Sequence, residues 1–102
     1  MTTLTIHPAA LTEAETAARW YEDSRPGHGM TFRREVDQVI GRIGDHPAGY
    51  QLLGDRFRRA FLRRFPFVVV YRIVADEIEI IAIVPTRADP VAAALLIGNR
   101  SS

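Results

Sequence analysis

The spacing of apolar residues changes near residue 50, and this change limits the chain to a fold that combines helices with a sheet. From Pro8 to about Asp23 and from Phe32 to about Asp45, apolar residues recur at helical spacing. The cluster Ser24–Gly29 contains helix-breaking Pro and Gly residues, so the two segments are predicted to form a helical hairpin. The predicted stripes are Leu11, Ala14, Ala18 and Tyr21 in the first helix, with Glu13, Glu15 and Glu22 on its other faces, and Phe32, Val36, Val39, Ile40 and Ile43 in the second.

The second half of the chain favours strands. Phe57–Leu62, Phe67–Ile73 and Glu77–Val84 are rich in aromatic and β-branched residues, and short links join them into an antiparallel meander. The middle segment is nearly all apolar, which suits a strand covered on both faces, whereas the alternation in the last suits a half-exposed strand. Thr3–Ile6 alternates as a short first strand does. The sequence thus predicts an α+β fold, in which an N-terminal strand and a helical hairpin pack on an antiparallel sheet formed mainly by the three C-terminal strands.

Length and composition bound the class of protein. The 102 residues leave room for a single domain, residues 1–102, with one modest core. The chain has no Cys, which is compatible with a reducing cytoplasm. Met1–Ala10 carries no basic leader, and no window approaches the ~20 apolar residues of a membrane span, so we expect a cytoplasmic protein with no membrane partner.

The apolar segment Val91–Ile97 follows a helix-start signal at Asp89, and it either folds over the sheet or offers a patch to a partner.

The basic residues are unevenly distributed. Seven of the twelve acidic residues lie at or before Asp45, whereas residues 56–72 carry six Arg and no acidic residue. These arginines are either solvated charges that protect a strand edge from aggregation, or a positive surface for an acidic partner. Strand alternation would place Arg58, Ala60, Leu62 and Arg64 on one face, and Phe57, Arg59, Phe61 and Arg63 on the other.

The order of elements and several short motifs resemble the RelE/ParE toxin superfamily, and its ParE branch in particular. The run Leu62-Arg63-Arg64-Phe65-Pro66-Phe67, followed by Val70-Tyr71, is the most specific of these motifs. The others are spread over nearly the whole chain, and they are Trp20-Tyr21, Phe32, His46-Pro47, Tyr50, Arg58-Arg59, Arg87 and Asp89-Pro90. The chain departs from its relatives at the end of the last strand, where residues 85–88 lack the His and paired arginines that many relatives carry.

This resemblance implies the toxin of a type II toxin–antitoxin module, which acts in plasmid stabilisation or growth arrest by inhibiting DNA gyrase through binding. It also implies an acidic antitoxin of the ParD kind, encoded next door, which adds a strand or a helix across the sheet and its arginines. Trp20 and Tyr21 are adjacent on a helix, so we expect one in the core and the other at a partner groove. The residues expected to bind target or antitoxin are Arg58, Arg59, Arg63, Arg64, Arg87, Trp20 and Tyr21. No cofactor is expected.

A ribosome-dependent mRNA endonuclease, as in the RelE branch, is the alternative from the enzyme class. Cleavage needs a proton acceptor, a proton donor and cations, and Arg supplies only the cations because its pKa is about 12.5 or higher. Residues 72–102 contain no His or Tyr, Tyr71 is expected in the core, and His7, His28 and His46 are expected in loops or caps. No catalytic residue and no metal site are therefore assigned, and enzyme activity stays open with binding favoured. A third possibility is a non-toxic degenerate module that only binds its antitoxin.

Overall fold

The computed structural model describes residues 3–88, in which two helices pack on one face of a five-stranded sheet. The elements in chain order are β1 (Thr3–Ile6), α1 (Pro8–Ser24), α2 (His28–Asp45), a 3-10 turn (Pro47–Gly49), β2 (Gln51–Leu53), β3 (Phe57–Phe61), β4 (Phe67–Val74) and β5 (Glu77–Pro85). The predicted hairpin and the three predicted C-terminal strands are confirmed, with no end displaced by more than four residues. The predicted helix start at Asp89 and the segment Val91–Ile97 lie outside the described residues.

The sheet has the order β1-β5-β4-β3-β2, so β4 is its central strand. β1 pairs with β5 in parallel, and the other neighbours are antiparallel. The α+β prediction is therefore confirmed, with one addition: β2 extends the sheet beyond the predicted meander. Its three residues, Gln51–Leu53, are too few for a period to show in the sequence.

The core lies on both faces of β4. Val69 and Tyr71 face the helices, while Val68 and Val70 belong to a smaller cluster on the other face, as expected for a strand covered on both sides. The alternation predicted for the last strand is confirmed from Glu77 to Ile80, where both isoleucines are buried and both glutamates are not. Beyond Ile80 the strand is buried on both faces, because the sheet register shifts between Val70 and Tyr71. This bulge directs two consecutive residues of β5, Ile81 and Ala82, into the smaller cluster. Both side chains are fully buried.

The helical hairpin is closed at Gly29, on the first turn of α2. A Cβ atom at this position would collide with the carbonyl oxygen of Ala18 and would lie 2.9 Å from Glu22 Cβ. The Glu22 carboxylate accepts hydrogen bonds from the N–H groups of Gly27 and Gly29, at 2.9 and 3.1 Å, so it caps α2 from the preceding helix. Glu22 was expected only on an outer face of α1, and its capping role explains why the turn can be so short.

The other glycines of α2 do not mark a close approach. Gly41 has no atom within 4 Å of a Cβ position, and Gly44 meets only Leu4 Cδ1 at 3.9 Å. A methyl group would therefore fit at either position without displacing a neighbouring atom. Within residues 3–88, neither helix combines the length and apolar character needed to cross a bilayer.

Gly29→Ala is expected to lower the free energy of unfolding by about 1–3 kcal/mol, because the added Cβ overpacks the contact with Ala18. The matched control is Gly41→Ala, which adds a methyl group to open space inside the same helix and should raise the free energy of unfolding by about 0.5–1 kcal/mol. Urea denaturation followed by circular dichroism measures both changes. Equal effects at the two positions would contradict the close contact at Gly29.

Candidate binding groove and its arginine-bearing loop

An apolar groove of about 560 Å³ lies between α1 and the end of β5. Trp20 is 64% exposed at the groove, while Tyr21 is half-buried beneath it. Tyr21 therefore packs against the core and Trp20 is exposed at a groove, as the helical geometry predicts, while binding of a partner in this groove stays a prediction. The lining residues are Thr12, Glu13, Thr16, Ala17, Trp20, Tyr21, Pro66, Phe67, Ile83, Val84, Pro85 and Arg87.

Tyr21 is the centre of an aromatic cluster that joins three parts of the chain. Its ring centroid lies 5.3 Å from that of Phe32 on α2, and 4.7 Å from that of Phe65 in the loop between β3 and β4. Phe67 at the start of β4 completes the cluster, 6.1 Å from Tyr21 and 5.0 Å from Phe32. Trp20 meets Tyr21 edge to face at 5.0 Å. The groove therefore has a packed aromatic base.

Burial raises the pKa of the Tyr21 phenol above its usual range, and the nearby Arg87 guanidinium offsets part of this shift. The phenol consequently keeps its proton at neutral pH. It can donate a hydrogen bond to a partner but is a poor proton acceptor.

The loop between β3 and β4 (residues 62–66) is held by a buried carboxylate. Glu35 on α2 is 8% exposed, and it accepts hydrogen bonds from the backbone N–H groups of Arg63 and Arg64, both at 3.0 Å. At the other end of the loop, the Pro66 carbonyl oxygen accepts a hydrogen bond from the Thr86 N–H at 2.9 Å. Since the backbone is fixed from both sides, the exposed side chains of Arg63 and Arg64 project from a defined position.

Comparison with known proteins agrees with this architecture. The family model that describes the ParE toxin of the type II toxin–antitoxin system parDE matches residues 4–90. The chain belongs to the ParE toxin family. A solved structure from the chromosomal ParDE TA system of P. aeruginosa has the same fold, with a TM-score of 0.72 and 19% sequence identity, over 83% of this chain and 96% of that chain. Among curated proteins, none matches the sequence.

The arginines predicted to bind a partner occupy three separate places in this ParE-family chain. Arg58 lies on the helix-facing side of β3 and donates a hydrogen bond to the Tyr50 carbonyl oxygen at 2.7 Å. Arg59 is bonded to Gln51 Oε1 at 3.1 Å and lies 5.3 Å from the centroid of the exposed Phe61 ring. Arg63 and Arg64 lie in the loop, and Arg87 lies at the groove. The structure therefore brings Arg63, Arg64, Arg87, Trp20 and Tyr21 to one end of the sheet, and it separates Arg58 and Arg59 from them.

The predicted strand alternation holds only as far as the strand does. Ala60 joins the helix-facing core and Phe57 packs on the opposite cluster, as expected. β3 ends at Phe61, however, so the assignment of Arg63 and Arg64 to opposite faces of a strand was wrong. The two backbone N–H groups turn towards Glu35 instead of continuing the ladder with β4.

The histidines of the described chain are mainly structural. His7 caps α1, because its Nδ1 accepts a hydrogen bond from the Ala9 N–H at 3.0 Å, and His46 follows the last turn of α2. His28 differs from the expectation of a solvated loop: it begins α2, and its ring centroid lies 5.7 Å from that of Tyr21 and 5.4 Å from that of Phe65. Among residues 3–88, no group of three or more His, Asp or Glu side chains has an arrangement that could hold a metal ion.

Glu35 and Glu13 hold backbone near the groove and its loop, and the sequence alone did not predict these roles. Glu35 follows Phe32 at helical spacing and so falls within the apolar stripe of α2. Glu13 was expected on another face of α1, but its Oε1 accepts a hydrogen bond from the Ile83 N–H of β5 at 3.0 Å. The position of Glu35 inside an apolar stripe could have indicated its role from the sequence, since a buried carboxylate requires hydrogen-bond donors around it.

Glu35→Ala is expected to lower the free energy of unfolding by about 2–4 kcal/mol, because it leaves two backbone N–H groups near the core without an acceptor. Hydrogen exchange of the Arg63 and Arg64 amides should accelerate more than that of amides in β4. The matched control is Asp37→Ala on the exposed side of the same helix, with an expected change within about 0.5 kcal/mol. Unchanged protection of the two loop amides in the Glu35 variant would contradict the assigned role.

Proposed function

We propose that this chain is a growth-arresting toxin that inhibits DNA gyrase by binding, and that an acidic antitoxin silences it by covering the groove and the adjoining loop. The proposal is supported by the ParE family membership and by the arrangement of Arg63 and Arg64. The loop that carries them is fixed by Glu35 and by the packing of Phe65, so the two exposed arginine side chains start from a fixed backbone.

Within the described residues, no ion pair is recorded for the side chains of Arg63 and Arg64, so both can pair with acidic groups of a partner. Over residues 3–88, the structure records an ion pair between Arg72 and Glu79 at 3.2 Å, and neither Arg63 nor Arg64 takes part in it. The carboxylate that touches the loop, Glu35, is engaged by backbone N–H groups. An acidic surface of a target or of an antitoxin can therefore pair with the guanidinium groups without displacing an internal ion pair.

The groove supplies the second part of a protein-binding surface. Trp20 is a large, exposed aromatic side chain above a packed base, which is the kind of residue that anchors protein–protein interfaces. Its neighbour Arg87 adds a positive charge at the same end. An acidic protein with apolar anchors fits this combination better than a nucleic acid does.

Replacement of Arg63 and Arg64 together by Ala is expected to raise the concentration needed for half-maximal inhibition of gyrase supercoiling by about tenfold or more, because two positioned charges are lost. The backbone N–H groups remain, so the contact with Glu35 and the fold are preserved. Arg42→Ala on the exposed side of α2 is the control for the loss of a positive charge, and it should inhibit like the unchanged chain. If the unchanged chain leaves supercoiling unaffected but cuts mRNA on ribosomes, gyrase is not the target.

The second candidate is the ribosome-dependent mRNA endonuclease, and the position of His28 favours it. His28 packs against Phe65, so a side chain that can exchange a proton lies beside the loop that carries the two arginines. We nevertheless expect toeprinting to show intact mRNA with the purified chain, since a single His supplies one of the two proton-transfer groups that cleavage needs and Tyr21 is a poor acceptor. Cuts that disappear in both His28→Gln and Arg64→Ala would establish the nuclease instead.

Absence of growth arrest on expression without antitoxin would indicate a degenerate module.

A further inference from the structure

We infer that the second face of the sheet, which is the face opposite the helices, is covered by the chain's own apolar segment Val91–Ile97. This segment lies outside the described residues, and its sequence is compatible either with folding over the sheet or with contact to a partner. The inference does not depend on the proposed toxin function. It assigns an occupant to the second face, and a target or an antitoxin then has to bind elsewhere.

The apolar side chains at the centre of the second face are almost completely buried. Val70 of β4 is 2% exposed, and Ile81 and Ala82 of β5 are fully buried. Both helices pack on the other face of the sheet. Among residues 3–88, the members of the second-face cluster all come from strands. Side chains on the open face of a sheet stay in contact with solvent, so this degree of burial requires a further layer.

The long polar side chains on the second face do not supply this layer. Arg59 lies directly opposite Val70 in the pairing of β3 with β4, and it is bonded to Gln51 Oε1 at 3.1 Å. Arg72 lies opposite Glu79 in the pairing of β4 with β5, and the two side chains form an ion pair at 3.2 Å. These contacts hold the polar groups beside the apolar cluster, so its cover has to come from another part of the chain.

The exposed fractions are those of one copy of the chain, so the layer over the cluster belongs to the same chain. Residues 1–2 precede β1 at the end that pairs with Glu77. Two residues span about 7 Å at most, whereas Ala82 lies about 16 Å from Glu77 along β5. Residues 1–2 therefore cannot cover the cluster, which leaves the residues that follow Ala88.

The last described residues turn the chain at the end of β5. The Pro85 carbonyl oxygen accepts a hydrogen bond from the Ala88 N–H at 3.0 Å, which closes a turn. Residues 89–97 can span up to about 30 Å, whereas Ile81 lies about 13 Å from Pro85 along β5. The segment Val91–Ile97 is therefore long enough to reach the whole cluster. It consists of seven consecutive apolar residues, which is the composition that a buried layer needs.

Thiol reactivity in the full chain tests the cover, because the chain has no Cys of its own. Ala82→Cys places one thiol in the second-face cluster, and the matched control Ala60→Cys places one in the helix-facing core, where Ala60 is 2% exposed. Both thiols should react slowly with Ellman's reagent. Replacement of Leu95 and Leu96 by Asp should accelerate the reaction of the Ala82→Cys thiol by about tenfold or more and that of the Ala60→Cys thiol by less than about twofold.

Replacement of Ser101 and Ser102 by Asp makes the same change in charge outside the apolar segment and should leave both rates unchanged. An unchanged rate for the Ala82→Cys thiol in the Leu95 and Leu96 variant would overturn the inference. Equal acceleration of both thiols would mean that the whole domain opens, and the position of the segment is then decided by cross-linking.

Cross-linking locates the segment without altering its apolar residues. A benzophenone group on the thiol of Asn99→Cys lies two residues beyond Ile97. Irradiation of the dilute full chain, followed by peptide mass spectrometry, should show attachment within one chain to residues 57–85, which contain β3, β4 and β5. Attachment to α1 or α2 alone would place the segment on the helices, and attachment between chains would place it on a second copy. Either of these outcomes would overturn the inference.

Discussion

One buried carboxylate connects the helical hairpin to the loop on which a binding surface depends. Burial of Glu35 is unfavourable by itself, because a charged group loses its hydration. The N–H groups of Arg63 and Arg64 offset this loss, and they are also the groups that would otherwise be left without acceptors where β3 ends. The carboxylate and the loop therefore stabilise each other, and neither arrangement is favourable without the other. Strand β3 can stop at Phe61, and the two guanidinium side chains can leave the sheet, because Glu35 is present.

The aromatic cluster holds the elements that border the groove together. Tyr21, Phe32 and Phe65 come from α1, α2 and the loop, so their packing fixes the relative positions of the three parts that border the groove. Ordering such a surface on binding would cost conformational entropy, and here most of that cost has already been met by folding.

The sequence predicts the periodic parts of this molecule and fails where a contact joins distant residues. Both helices and β3 to β5 repeat their apolar positions often enough to be recognised, whereas β2 has three residues and the pairing of β1 with β5 spans most of the chain. Helical geometry alone predicts that Trp20 and Tyr21 point to different places, but it does not say which of them joins the core. The hydrogen bond of Glu13 could not be predicted, because its donor, the Ile83 N–H, lies 70 residues away in the sequence. That N–H points away from β4 only because of the register in which β4 and β5 pair. The arginine alternation failed for a related reason: the end of β3 is set by Glu35, which lies on another element.

The distribution of arginines in space also changes which kind of partner the chain can bind. Residues 56–72 carry six Arg, which in the sequence suggests a continuous positive face. In the structure, Arg58 and Arg59 are held by oxygens of Tyr50 and Gln51, and Arg72 is paired with Glu79. A phosphate backbone is bound by cations that follow it along a stripe. Arg63 and Arg64 instead lie in a loop whose Pro66 carbonyl oxygen accepts a hydrogen bond from Thr86, the residue before Arg87, at one end of the apolar groove with its exposed Trp20. This arrangement supports the proposed protein partner rather than a nucleic acid.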